Sequence, residues 1–199
     1  MTRILALIIL IFSGLAANAA SPADLMARCA KALNDAPSLQ VNFSLSVGQN
    51  TSACSMTIAR QRFSLKSPDM MVWYDGATQW TYITSDRELS ITEPTAEELM
   101  ECNPFAIVNH YAKYYNVRAI QGKANTVELS PKHSGASIRR ATVTINPDNN
   151  LPAAINVTLA NGHTFSVKVT SISRGGNIPQ ASFVYNKSSH PAATINDLR

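Results

Sequence analysis

The chain has 199 residues, 45% of them hydrophobic and 15% charged, with a formal net charge of +4. Length and composition suit one globular domain with its own core and exclude a disordered or fibrous chain. The Lys and Arg residues are dispersed, Arg139-Arg140 being the densest pair, so no basic stripe marks a nucleic-acid partner.

Met1–Arg3 is a short cationic stretch, and Ile4 to about Leu15 is apolar but too short to span a bilayer comfortably. Ala17-Asn18-Ala19 supplies small residues for cleavage near Ala19/Ala20. Residues 1–19 therefore read as a secretory signal peptide and residues 20–199 as a single exported domain, whose formal charge falls to +3 with the loss of Arg3. No Cys follows the apolar stretch directly, which argues against a lipoprotein anchor. Cys29, Cys54 and Cys102 are odd in number for an oxidising compartment, and their spacing selects no disulfide pair.

Ser21, Pro22 and Asp24 start a helix with Leu25, Met26, Cys29, Ala32 and Leu33 on one face, stopped at Asp35-Ala36-Pro37. Strands follow. Leu39, Val41, Phe43, Leu45 and Val47 alternate with polar residues, and Gly48-Gln49-Asn50 turns the chain. The next strand, Cys54–Arg60, carries Cys54, Met56, Ile58 and Arg60 in one alternating row. Two readings stay open here. Either the strand ends before Arg60 and the charge is hydrated, or Arg60 points inward and its five donors find acceptors there. Phe63 with Leu65, Met70–Tyr74, Thr78–Thr84 and Leu89 with Ile91 are further short strands.

Thr95 and Glu98 form a capping box for a helix over Ala96–Glu101, and Asn103-Pro104 starts a second helix from Phe105 to about Tyr114. Strands are predicted again at about 116–121, 126–131, 139–146, 152–160, 163–173 and 181–185, with Asn161-Gly162 as a hairpin turn. The pattern predicts a mainly β fold: an incomplete, half-open antiparallel barrel of about 11 strands, with a helical lid over an apolar cavity. The alternative is a β-sandwich whose faces bury each other and leave no cavity.

His110, His133, His163 and His190 are scattered without metal-ligand spacing, and no nucleophile motif or phosphate loop is present. Glu97-Glu98 suits a helix N-terminus. The expectation is a binding protein with no catalytic residues, metal or cofactor.

Three groups of residues carry a resemblance: Ala59-Arg60-Gln61-Arg62-Phe63, then Trp73 to Tyr82 with its D-G-x-T-x-W-x-Y element, then Pro94 to Asn103-Pro104-Phe105. In this order they resemble the periplasmic outer-membrane lipoprotein carrier family, LolA. Asp24-Leu25 in the first helix and Phe183-Val184-Tyr185 before a polar tail fit as well. Gln61 stands where some members have Pro, and the three cysteines are a second departure.

The resemblance implies an ATP-independent periplasmic chaperone. Its partners would be acylated lipoproteins, an inner-membrane lipoprotein-releasing ABC transporter, and an outer-membrane acceptor or the outer membrane itself, with the carrier a monomer. It implies that Arg60 latches the lid by donating to carbonyls around Cys29 and Ile107–Asn109, and that Phe63 is functional. The lid would present Leu25, Cys29, Leu33, Phe105, Ile107, Val108 and Asn109. Cavity candidates are Phe43, Leu45, Met56, Ile58, Phe63, Leu65, Trp80, Leu89, Val143, Ile155, Val157 and Phe165. A lipid-sensing or regulatory module on the same fold is the alternative function.

Overall fold

A computed structural model of the chain describes residues 20–199. The expected signal peptide lies outside the described residues. Among those described, no helix is long and apolar enough to cross a membrane.

Helix α1 spans Pro22–Asp35. Six strands follow: β1 Ser38–Val47, β2 Asn50–Ala59, β3 Arg62–Lys66, β4 Met70–Tyr74, β5 Gln79–Ile83 and β6 Glu88–Thr92. Helices α2 Ala96–Cys102 and α3 Pro104–Tyr114 interrupt them. Then come β7 Tyr115–Ala119, β8 Thr126–Pro131, β9 Ile138–Ile145, β10 Pro152–Leu159, β11 Thr164–Gly175 and β12 Thr194–Asp197.

All twelve strands form one sheet in the order β12-β6-β5-β4-β3-β2-β1-β11-β10-β9-β8-β7. Every neighbouring pair is antiparallel except β12 with β6, which is parallel. Strands β7 and β12 remain at the two edges, so the sheet is an open half-barrel. A bulge at Asn42/Phe43 shifts the register of β1 against β11, and bulges of this kind raise local twist.

The register assigns the faces. Opposed residues across antiparallel strands lie on one side of the sheet. Leu39 pairs with Ile58, which pairs with Phe63, which pairs with Tyr74. Val167, Ile155, Val143 and Val127 make the corresponding row on the other half. These rows form the inner face, and α1 and α3 bury it in a continuous core. One predicted strand is absent: 181–185 instead holds a short 3₁₀ turn, Gln180–Phe183, and the tail supplies β12, which its polar sequence did not suggest.

Candidate functional site

The lid is built from two helices with different apolar designs. In α1 the Ser21 hydroxyl accepts from the Asp24 amide at 3.1 Å, and Pro22 occupies the first turn. Met26, Cys29, Ala32 and Leu33 then fall on one buried face. In α3 the Asn103 side chain accepts from the Phe105 amide at 3.0 Å, and Pro104 through Val108 are all buried. The first turn of α3 is therefore enclosed on every side, with the Phe105 ring edge-on to Phe43 at 5.9 Å.

Polar ties to the lid are few. Asn34 Nδ2 donates to Asn109 Oδ1 at 3.1 Å and joins α1 to α3. Among the described residues no side-chain hydrogen bond joins α1 to a strand; apolar packing holds it there. The three cysteines are free. Burial pushes the Cys29 thiol up to about 12 and the Cys102 thiol likewise to about 12. Both thus stay protonated and behave as small apolar groups.

The lid candidates Cys29, Leu33, Phe105, Ile107 and Val108 are buried in the core, Leu25 packs against it, and Asn109 is exposed at the rim. Of the cavity candidates, Phe43, Met56, Ile58, Phe63, Leu65, Val143, Ile155 and Val157 are buried in that core, with Leu45 and Phe165 partly buried beside it. Trp80 and Leu89 do not join them. Trp80 pairs with Trp73 and Ile91, and Leu89 with Tyr82, all in rows that alternate with the inner ones. Both residues lie on the outer face because the apolar side of the sheet inverts at β5 and β6. There the inner positions are Gln79, Thr81 and Ile83 on β5 and Glu88, Ser90 and Thr92 on β6, polar except for Ile83.

The inner hollow is closed by the lid rather than empty. Val143 and Ile155 are each 0% exposed, and Phe43, with the Phe105 ring of α3 against it, is 3% exposed. Open space remains at one end, where a cleft of about 370 Å³ lies between α1, α3 and the β2–β3 turn. Leu33, Ile58, Phe63, Leu99 and Phe105 line its depth; Asn34, Arg60, Gln61, Arg62, Asn109 and His110 are among its polar residues. Burial lowers the His110 pKa, and Lys113 lowers it further, so the ring is neutral at pH 7.

The residue implied as the lid latch, Arg60, lies just past the end of a strand. Strand β2 ends at Ala59, which pairs with Arg62 across a two-residue loop. Arg60 takes the first loop position with a left-handed φ of 58°, so strand alternation stops one residue before it. Its side chain is exposed at the cleft and, among the described residues, donates to no lid carbonyl. The hydrated reading of this residue is the one the fold adopts, although the side chain stays beside both lid helices.

The outer face carries a second core absent from the sequence reading. The tail crosses β3 to β6 and brings Phe183, Tyr185 and His190 onto the outer rows. Phe183 is fully buried at 0% exposure, with the Arg62 guanidinium 5.1 Å from its ring centre. The rings of Tyr82 and His190 lie 4.3 Å apart, and Trp73 lies 5.6 Å from Tyr185. The available signal was the aromatic pairing of β4 with β5, whose alternating row needs a cover on whichever face it occupies.

A family model described as outer membrane lipoprotein carrier protein LolA matches residues 12–162. No curated protein matches the chain by sequence. An uncharacterized conserved protein from Thermus thermophilus superposes with a TM-score of 0.56 at 12% identity, over 88% of this chain and 98% of its own. A DUF1329 family protein from Desulfovibrio piger gives 0.51 at 12% identity, over 86% and 100%. A LolA superfamily protein from Nitrosomonas europaea aligns over 84% of this chain and 99% of its own at 8% identity, with a TM-score of 0.44. The first two share the fold, and by the family match over residues 12–162 the chain belongs to the outer membrane lipoprotein carrier protein LolA family.

Proposed function

We propose that this protein is an ATP-independent periplasmic chaperone that shelters the acyl chains of lipoproteins and carries them from the inner to the outer membrane. One observation carries the reading: a continuous apolar inner face is covered by a helix, α1, that apolar contact holds to the strands with no side-chain hydrogen bond to them among the described residues. Such a cover can be exchanged for hydrocarbon without breaking a polar network.

The magnitudes favour exchange. Uncovering Met26, Cys29, Ala32 and Leu33 forfeits roughly 5–8 kcal/mol of burial, whereas one acyl chain of about 16 carbons gains about 12 kcal/mol. A single chain can therefore displace α1, and the returning helix in turn opposes retention and favours release. Phe43, Met56, Ile58, Val143, Ile155 and Val157 are the proposed floor, with Leu45, Phe63, Leu65 and Phe165 toward its ends. Residues 1–19 would direct export, an inner-membrane ABC transporter would donate cargo, and an outer-membrane acceptor or the membrane itself would receive it.

The test is release of a radiolabelled lipoprotein from spheroplasts with and without the purified protein. Soluble one-to-one complexes are expected in the supernatant. Lipoprotein that stays with the spheroplasts in both arms would refute the carrier role.

A further inference from the structure

The cleft at the end of the sheet has a chemistry that lid closure does not require. Arg60 and Arg62 line it, and neither is ion-paired with a carboxylate among the described residues. No Asp or Glu is among the lining residues. Just beyond the guanidiniums the wall becomes apolar, with Ile58, Phe63 and Phe105 only 7%, 2% and 1% exposed.

Arg60 sits at a left-handed φ of 58°, where glycine would be free of steric cost. A side chain held there against local preference points to a use for it. Arg62 is half-buried, and its guanidinium lies 5.1 Å from the Phe183 ring centre. An opening that is cationic outside, apolar within and free of acids complements an amphiphile with an anionic head. Acyl chains attached through esters or amides place no charge at that point, so ordinary lipoprotein anchors leave the two cations unused.

We propose that this cleft binds a lipid with an anionic headgroup, the head held by Arg60 and Arg62 and the chain running past Phe63 and Phe105. The inference rests on the lipid-binding reading above and names a ligand class for one end of it. A phosphodiester and a carboxylate share the required chemistry.

The test mixes the purified protein with vesicles carrying acyl-labelled phosphatidylglycerol or diacylglycerol, and in parallel with labelled oleate or oleyl alcohol. Lipid in soluble complex is counted after the vesicles are removed. Each anionic probe is expected to exceed its uncharged counterpart about tenfold, the factor of one charge-assisted hydrogen bond. If only one pair shows the excess, that pair assigns the head as phosphodiester or carboxylate.

Replacing Arg60→Gln and Arg62→Gln together should abolish the excess. Lys at both positions should restore part of it. Equal uptake of charged and uncharged probes would overturn the inference, as would an excess that survives the double Gln change. Protein that sediments with anionic vesicles without extracting lipid would overturn it too, by showing surface attraction alone. In each of these cases release of lipoprotein from spheroplasts still reports separately on the carrier reading.

Discussion

Truncating the buried face of α1 should tighten lipid binding while weakening the fold. Met26 is fully enclosed at 0% exposure, and a Met→Ala change in such a position costs about 2–5 kcal/mol. If α1 lifts off when lipid enters, that cost falls on the closed state alone. A central value of about 3 kcal/mol raises the ratio of open to closed molecules by about 100-fold. Apparent lipid affinity rises with it until the open form predominates. Two controls are also 0% exposed: Leu89 on the outer face of β6 and Ile107 on α3. Leu89→Ala should weaken both states together and leave affinity unchanged, and Ile107→Ala shows whether α3 moves. The assay pairs urea unfolding with titration of a fluorescent diacylated peptide. Equal affinity changes in Met26→Ala and Leu89→Ala, or weaker binding in the former, would show that α1 is a permanent part of the core.

Three further outcomes are expected. Arg60→Gly should raise the urea midpoint, because it relieves about 1 kcal/mol of left-handed strain at a side chain without bonds; a fall would reveal a contact worth more than the strain. His110 has a lowered pKa in the fold, from burial first and Lys113 second, so the unfolded chain binds its proton more readily. Stability should therefore fall as pH drops through the ordinary imidazole range near 6.5, and His110→Gln should flatten the urea midpoint between about pH 5 and 7.5. Phe183→Ala should cost about 3–5 kcal/mol and shift tryptophan emission to longer wavelength, since Phe183 is enclosed on the outer face that Trp73 shares.

Much of the architecture was legible in the residues. Ser21-Pro22 and Asn103-Pro104 mark helix starts through capping and fixed φ, and both helices begin there. One-sided alternation in β1, β9 and β10 places Phe43, Val143 and Ile155 in the core where it was expected. Alternation groups residues on a face but does not say which face the lid will cover. That is why Trp80 and Leu89 were expected inside, and why a one-step misassignment moves a whole row. The tail escaped for a related reason: the pairing of Ile195 with Leu89 is a long-range parallel contact, set by the exposed edge of β6 rather than by local signals. Arg60 was ambiguous from its row alone, because one positive φ ends the row and only the fold fixes φ.

The two lid helices are not equivalent, and their attachments explain why α1 is the part expected to move. Helix α3 continues directly from the Asn103 junction into β7, and the Lys132 amide donates to its Tyr114 carbonyl at 2.9 Å. Lys132 Nζ also reaches the Ala112 carbonyl at 2.5 Å, so the C-terminal turn of α3 is fastened to the sheet. Helix α1 meets the sheet through Ala36-Pro37, where Ala36 is extended at φ −84° and ψ 136°. Proline there prevents the helix from running on into β1, so that α1 and β1 are joined through the short Ala36-Pro37 link. The outer-face core meanwhile covers β3 to β6 independently of either helix, through Phe183 and the Tyr82–His190 contact. Lifting α1 therefore uncovers the inner face without releasing the strands that form it. This separation of cover from scaffold is what a reversible lipid carrier needs.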